Sequence, residues 1–430
     1  TPANEQKEPV YIEGATAHLG NGEVIENSLV MFENGKLTFV GSAMTKIARR
    51  GKKIKGEGKH IYPGFIAPIT SLGLVEIDAV RASKDQDEIG EMIPHVRSLI
   101  AYNTESKVVE SMRPNGVLLG QITPVGGCIS GTSSVVQFDA WNWEDAAVKV
   151  DDGIHLHWPS SYNGTKPNEK YVEQKREVEE FLKNSVAYGK TGTEQLNQVF
   201  AAMQGLFDGS QKLYLYANSE KDILEGVTTV KELGVQEVVL VGGYEANKVT
   251  EFLKENKIAV LVRHTHMLPH TDDEDYDLPY KLPGLLLKAG LVVGLQNSEA
   301  SNFQTRNLPF FAGQTVAHGL NKEQALQLIS SNTAKILGIS AGLLSRMVSG
   351  KRPWNPNIKA RYDALVGNTS GNTLSSESAE KFLSRSAHLK PNSRARYATY
   401  LKGFLTHLDI PFNVKVKVPR TLPAYNAVMG

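Results

Sequence analysis

Two pairs of histidines are spaced so that each pair could bind one metal ion. His155 and His157 lie in the segment GIHLHWP, and His264 and His266 follow the apolar run IAVLVR. Side chains two residues apart on a β-strand point to the same face, and neutral imidazole is a common zinc ligand. Three carboxylates close to the second pair are available as further ligands or supporting groups: Asp272, Asp273 and Asp275.

These pairs also fit histidines that are exposed or hydrogen-bonded in loops, because two histidines separated by one residue are a weak signal. We therefore expect no cofactor unless one of the pairs forms a site. In that case we expect a divalent metal such as zinc, with His264 and His266 as the better pair.

A glycine-rich segment, GGCISGTSS at 126–134, has the composition of a phosphate-binding loop. It lacks the Gly-Lys-Ser/Thr ending that places a lysine on the phosphates. The segment predicts a tight turn before a strand at 135–138, since glycine tolerates positive φ. Cys128, which has no base near it in sequence, is interpreted as a small packed thiol.

The charge is distributed unevenly along the 430 residues. The net charge is +1, but the stretch from Arg346 onward has 14 basic and 4 acidic residues, which leaves 33 and 42 for the rest. This asymmetry indicates separate domains, the basic one a candidate for contact with a polyanion. No apolar run reaches the roughly 18 residues that a membrane span needs.

The first 60 residues predict a small β domain. The segments YIEGATAHL, SLVMFE and KLTFVG alternate apolar and polar residues and are separated by glycine-containing turns, so they predict short antiparallel strands. A charged link at 51–60 follows. We expect this domain, residues 1–60, to form half of a partial β-sandwich.

From residue 61 to 340, strand-like and helix-like segments alternate. Predicted strands include 117–122, 213–217, 237–243, 258–263 and 291–296, and predicted helices include 167–188, 220–233 and 321–337. Alternation with short connections indicates parallel strands and crossover helices. Over this length we predict an α/β fold, a (β/α)₈ TIM-type barrel.

The run IYPGFIAPIT at 61–70 resembles the first barrel strand of the amidohydrolase superfamily, and SSNTAKILGI resembles the last barrel helix of its imidazolonepropionase-like members. The resemblance covers about residues 8 to 340. It implies a barrel in which histidines at the strand ends hold a divalent metal that activates water, while an aspartate after the last strand moves the proton. It also implies hydrolysis of a C–N bond in a cyclic or linear amide.

This sequence departs from that pattern at each expected ligand. Ala67, Pro68 and Thr70 occupy the acidic and two histidine positions of the first strand. At the later strand ends the corresponding residues are Tyr216 and Asn218, Gly242 or Gly243, and Gln296 with Asn297 in place of the proton-shuttling aspartate. We therefore predict a degenerate metal site.

Arg306 follows the last predicted strand, and its planar guanidinium suits a carboxylate. The candidate pocket residues are Thr70, Tyr216, Asn218, Gln296, Asn297 and Arg306.

The chain after residue 340 does not continue like an amidohydrolase. We predict a junction at 341–374 and a basic α-helical segment at 375–430, which resembles the N-terminal core-binding domain of a tyrosine recombinase, or phage integrase. The catalytic domain of that family is absent from the sequence. DNA binding through residues 346–430 is an alternative to an accidental fusion.

The sequence thus leaves three functions open. The first is an amidohydrolase-like enzyme, inactive or altered by its replaced ligands. The second is a non-catalytic barrel that binds a small polar molecule at its mouth, and the third is a DNA-binding fusion. The polar N-terminus, TPANEQKEPV, fits a processed periplasmic or secreted chain and also a fragment.

Overall fold

The computed structural model describes residues 2, 6–77, 79–164, 166–191, 196–269, 274–297 and 302–339. These belong to one compact unit. The predicted junction at 341–374 and the integrase-like segment at 375–430 lie outside the described residues.

The N-terminal domain is a single five-stranded sheet. Its first three strands are antiparallel, as predicted: β1 (Val10–His18), β2 (Val24–Glu33) and β3 (Lys36–Ser42). The predicted charged link is wrong, because it contains β4 (Lys52–Lys55) and β5 (His60–Ile61), which pair with β1 in parallel. A strand at the edge of a sheet can have charged residues on both faces, so the lysines of β4 are compatible with a strand. A second sandwich layer is not seen in the described part of the chain.

The larger domain is built on eight strands: β6 (Phe65–Thr70), β7 (Val117–Ile122), β8 (Ile129–Gln137), β9 (Ala147–His157), β12 (Lys212–Ala217), β13 (Val238–Gly242), β14 (Ala259–Val262) and β15 (Val293–Leu295). A two-stranded hairpin, β10 (Tyr162–Asn163) with β11 (Lys166–Pro167), lies between β9 and β12 in the chain. The spatial order of the large sheet is β6-β7-β8-β9-β12-β13-β14-β15. All neighbours are parallel except β8, which is antiparallel to both β7 and β9.

Eleven helices are present among the described residues: α1 (Lys107–Glu110), α2 (Trp143–Ala146), α3 (Tyr171–Thr191), α4 (Gln198–Ala202), α5 (Gln204–Asp208), α6 (Glu220–Glu232), α7 (Thr250–Glu255), α8 (Leu278–Lys288), α9 (Leu308–Ala317), α10 (Lys322–Gln327) and α11 (Ser331–Leu337). None of them combines the length and apolar character that a membrane span requires. Ser219 caps α6 as predicted, since its side chain accepts from the Asp222 N–H.

The antiparallel β8 makes the prediction of a regular (β/α)₈ barrel too simple. It begins at Ile129, inside the segment 126–134 that is predicted as a glycine-rich turn. That prediction holds for 126–128, where Gly126 and Gly127 have positive φ, and is wrong for 129–134. Glycine serves close packing here: a Cβ on Gly131 would lie 2.6 Å from the Val96 carbonyl oxygen. A composition typical of turns therefore belongs to a central strand.

Residues 328–329 close the sheet between its two edge strands. The Leu295 N–H donates to the Leu328 carbonyl at 3.0 Å, and the Ile66 N–H donates to the Ile329 carbonyl at 2.9 Å. The single helix predicted at 321–337 is therefore wrong, because α10 and α11 are separated by this segment. The result is a nearly closed eight-stranded sheet, consistent with a barrel.

Two apolar clusters fill the domain. The larger lies between the strands and helices such as α3, α6 and α8. The smaller occupies the inner face of the sheet, where Ile66, Leu119 and Leu261 pack with Ile336 and Leu337 of α11. Lys149 and Lys212 bind the last carbonyl groups of α11, as favoured by the negative end of a helix.

Candidate site at the barrel mouth

The carboxyl ends of the parallel strands form one end of the barrel, which we call the mouth. Binding residues of such barrels lie at this end. The strand ends bring here most of the predicted pocket residues: Thr70 ends β6, Tyr216 is near the end of β12, Asn218 follows β12, and Gln296 and Asn297 follow β15. Arg306 is exposed, in a 3₁₀ turn, Asn302–Asn307, that lies against β6.

Four aromatic rings form two tiers on the inner face of β9 and β12. In the parallel register, Tyr214 lies beside His155 and Tyr216 beside His157. The ring centroids are 4.7 Å apart in the first pair and 4.1 Å apart in the second. His155 and Tyr214 are fully buried, whereas His157 and Tyr216 are half-buried at the mouth. The two histidines share one face, as their spacing predicted.

Both ring nitrogens of His155 are engaged in hydrogen bonds. Its Nε2 lies 2.7 Å from the Ser133 hydroxyl, and its Nδ1 lies 3.0 Å from the Tyr216 hydroxyl. A metal at either nitrogen would displace one of these partners. Both nitrogens of His155 are therefore occupied by protein partners and are not available to a ligand.

Polar side chains continue from Ser133 to the opposite end of the barrel. The Gln121 amide donates to Ser133 at 3.1 Å and to the Asp152 carboxylate at 2.9 Å. Tyr214 donates to the same carboxylate, and the Lys149 ammonium lies 2.5 Å from its other oxygen. A buried polar chain thus runs from Lys149 and Asp152 to the tyrosine and histidine at the mouth.

This chain of residues was missed by sequence reasoning. Gln121, Ser133 and Asp152 are polar residues within or beside apolar strand segments, and each is fully buried. A polar residue inside a predicted apolar strand is a signal for Gln121 alone, because Ser133 falls in the predicted turn and Asp152 in none of the predicted strands. The sequence alone did not show which face each one occupies, because bulges interrupt β8 and its pairing with β9.

Backbone strain occurs in β6, between the two positions that the resemblance assigns to histidines. Ile69 has φ of 50°, a left-handed conformation that is unfavourable for a β-branched residue. Its N–H donates to the Gln121 side-chain oxygen at 3.2 Å. Such strain persists only where the surroundings fix it, and it is often found at functional sites.

Burial favours the neutral forms of the groups in the two tiers. It lowers the pKa of His155 well below its usual range, and it also lowers the pKa of His157. Burial raises the pKa of Tyr216 above its usual range. Near neutral pH the pair at the mouth, His157 and Tyr216, therefore consists of a neutral imidazole and a neutral phenol.

Lowering the pH from 7.5 to 5.5 is expected to decrease the free energy of unfolding. A histidine with a pKa near 6.5 in the unfolded chain binds a proton that buried His155 does not bind. The contribution of neutral His155 to the free energy of unfolding is therefore fully present above about pH 6.5. Below that pH the contribution falls by about 1.4 kcal/mol per pH unit. Urea unfolding at several pH values in this range measures how steeply the free energy of unfolding changes with pH. This pH dependence should become shallower in His155→Gln and stay unchanged in His266→Gln, which replaces an exposed histidine. Equal slopes in all three proteins would contradict the assignment.

The second histidine pair is not arranged as predicted. Strand β14 ends at Val262, so His264 and His266 lie beyond it rather than on one strand face. His266 is exposed, and Asp275 pairs with Lys281 at 2.8 Å. Asp272 and Asp273 lie outside the described residues. His264 is half-buried, and its Nδ1 has no hydrogen-bond partner in the described structure.

Asn297 is the least satisfied polar side chain of the mouth. Only 6% of the residue is exposed, yet neither its amide oxygen nor its amide nitrogen has a hydrogen-bond partner among the described residues. Neighbouring Gln296 is also buried. A side-chain amide offers two donor hydrogens and an acceptor oxygen, so it can pair with an amide or carboxyl group.

The donors at the strand ends do not fit the divalent metal that the resemblance implies. Pro68 and Gly242 offer no ligand atom in their side chains, and the neutral Thr70 hydroxyl is a poorer metal ligand than the imidazole expected at this position. Its oxygen instead accepts a 3.3 Å bond from the Leu72 N–H. Within the described ranges, no three histidine, cysteine or acidic groups are arranged to hold a metal ion.

Cys128 also lies near this end of the barrel. Its thiol donates to the His157 carbonyl at 3.3 Å, and burial raises its pKa to about 12. These features agree with the interpretation of a packed thiol rather than a nucleophile.

No protein-family model matches this chain, and no curated protein matches it. Among solved structures, an amidohydrolase from Thermotoga maritima is similar over 77% of this chain and 89% of its own, with 23% identity and a TM-score of 0.66. This likeness shows an amidohydrolase-type fold. A putative prolidase from Bifidobacterium longum is similar over 84% of this chain and 99% of its own, with 14% identity and a TM-score of 0.46.

Proposed function

We propose that the mouth of the barrel binds a small polar molecule that bears an amide or a carboxyl group. The observation that carries the proposal is Asn297, whose amide is buried at the end of the last strand without a hydrogen-bond partner among the described residues. More than about 90% of buried polar groups in native proteins are paired. A ligand group at the mouth would supply the missing partner.

The other residues at the mouth support recognition by hydrogen bonds. Thr70, Tyr216, Asn218 and Gln296 are uncharged, and the pKa shift of His157 favours neutral imidazole. Uncharged donors and acceptors that fix the orientation of a ligand are usual in small-molecule sites. In this proposal the barrel recognises its ligand without a metal ion.

Hydrolysis of a C–N bond in a cyclic or linear amide is the second candidate. The amidohydrolase-type fold, with a TM-score of 0.66 to a solved amidohydrolase, favours it. His157 is the group that could accept a proton at the mouth, because it is half-buried and its pKa is lowered. A screen of cyclic amides, N-acyl amino acids and dipeptides tests it, with a metal analysis of the same sample. Turnover that survives His157→Ala would exclude this role for the histidine.

Replacing Asn297 with leucine should separate binding from stability. Leucine has a similar size and removes an unpaired buried amide, so we expect the free energy of unfolding to rise by about 1 kcal/mol. The same change should weaken any ligand found in a thermal-shift screen of amides and carboxylates by at least about tenfold, the equivalent of roughly 1.4 kcal/mol.

Asn332→Leu is a matched control, because the Asn332 amide donates to the Val293 carbonyl at 3.0 Å. Loss of this bond should destabilise the protein by about 1 kcal/mol without affecting the ligand. If Asn297→Leu destabilised the protein as much as the control and left ligand binding intact, the proposed site would be wrong.

A further inference from the structure

We propose that His18 and His60 bind a divalent transition metal ion, such as zinc, where the N-terminal sheet meets helix α10. Both residues belong to the N-terminal sheet, His18 as the last residue of β1 and His60 as the first of β5. The site is therefore distinct from the barrel mouth and does not depend on the proposed function.

The strand register brings the two imidazoles together. β1 and β5 are parallel, and Thr16 pairs with His60, so His18 lies two residues further along the same face. The Nε2 of His18 is 2.9 Å from the Nδ1 of His60. Two imidazole nitrogens that bind one tetrahedral zinc ion lie about 3.3 Å apart, given Zn–N distances near 2.0–2.1 Å. A shift of a few tenths of an ångström would admit the ion.

Glu323 fixes the tautomer that this geometry needs. Its carboxylate lies 2.7 Å from the Nδ1 of His18, and an ionised carboxylate only accepts hydrogen bonds. His18 therefore carries its proton on Nδ1, and the lone pair of its Nε2 faces His60. A carboxylate behind a ligating histidine is the usual support of zinc sites.

Two further observations favour an ion at this position. The second carboxylate oxygen of Glu323 is buried without a hydrogen-bond partner in the described structure, so an acceptor that the described protein groups do not satisfy lies behind His18. The Tyr62 ring stacks on His18 at 4.5 Å and 6°, which holds the imidazole plane. His60 and Tyr62 are exposed, so an ion can enter from solvent.

Two protein ligands leave the remaining positions of a tetrahedral ion to water, so the affinity should be below that of closed four-ligand sites. The competing explanation is a plain hydrogen bond from the His60 N–H to His18. That explanation requires no metal and predicts none.

Calorimetric titration of the full chain with zinc chloride at pH 7.5 tests the proposal, with cobalt absorption as a second readout of imidazole ligation. We expect one ion per chain at this site, lost in His60→Ala and bound about 10–100-fold more weakly in Glu323→Gln. Because His60 is exposed, its replacement should leave the fold intact, which circular dichroism verifies. His266→Ala, which removes an exposed histidine beyond β14, should bind zinc as the unchanged protein does.

Two results would overturn the proposal. One is the absence of zinc binding up to millimolar concentration, and the other is binding that persists unchanged in His60→Ala. Loss of binding in His266→Ala but not in His60→Ala would place the ion elsewhere and also reject the site.

Discussion

Replacing Asp152 with asparagine is expected to destabilise the protein by about 3 kcal/mol, the lower end of the usual cost of removing one partner of a buried ion pair, because Lys149 is partly exposed. Asp152 is fully buried, accepts hydrogen bonds from Tyr214 and Gln121, and lies 2.5 Å from the Lys149 ammonium. Asparagine keeps one acceptor oxygen but replaces the other with an NH₂ donor, so the Lys149 ammonium loses its counter-charge and faces a donor or competes with the two buried donors for one oxygen. Urea unfolding monitored by tryptophan fluorescence measures the change in the free energy of unfolding.

The adjacent residue is a matched control for this substitution. Asp151 is half-buried and pairs with Arg97 at 2.8 Å near the surface. Its backbone φ is 51°, which asparagine tolerates, so Asp151→Asn removes only a surface ion pair. Such pairs contribute about 0–1 kcal/mol. Similar losses for both variants would mean that the buried polar chain does not stabilise the barrel as we infer.

Gly153→Ala should also destabilise the barrel strongly. A Cβ at this position would lie 2.4 Å from the Lys212 carbonyl oxygen and 2.6 Å from the Tyr214 ring. Because the first neighbour is backbone, β9 and β12 must separate, and overpacking of this kind typically costs about 1–3 kcal/mol, occasionally more. We expect at least the upper end of that range, together with loss of the His155–Tyr214 stack. Thermal unfolding and near-ultraviolet circular dichroism measure the two effects.

The control is the same substitution at Gly313, an exposed position of α9 where a Cβ would meet nothing within 4 Å. Alanine in a helix is favoured over glycine by about 0.8–1.0 kcal/mol, so Gly313→Ala should stabilise the protein. Changes of the same sign at both positions would contradict the interpretation of Gly153 as a close-packing residue.

The sequence predicted the elements whose patterns are local. The strand at 117–122 and the helix that Ser219 caps were placed to within a residue, because alternation and capping depend on neighbours in the chain. The strands that pass through 129–134 and 52–55 were not predicted. The glycine and serine residues of 129–134 fit a strand because neighbouring groups pack closely on it, and the lysines of 52–55 fit a strand because it lies at an exposed edge. Both reasons are properties of the tertiary structure.

For the candidate residues of the mouth, the sequence indicated their positions along the strands but not their contacts. Thr70, Tyr216 and Asn297 lie at the strand ends where the resemblance placed them. The partners of His155, and the lack of partners for Asn297, depend on inner-face contacts between residues far apart in sequence. Residue identity alone could not show which imidazole was already hydrogen-bonded.

Residues 328–329, which close the sheet between its two edge strands, also determine when the barrel can close during synthesis. The first barrel strand receives its edge partner only from Ile329, which leaves the ribosome after all eight strands have been made. Until then the growing chain has two unpaired sheet edges, and such edges promote association with other chains. Nascent chains that stop before this segment should therefore depend on chaperones more than the finished protein does.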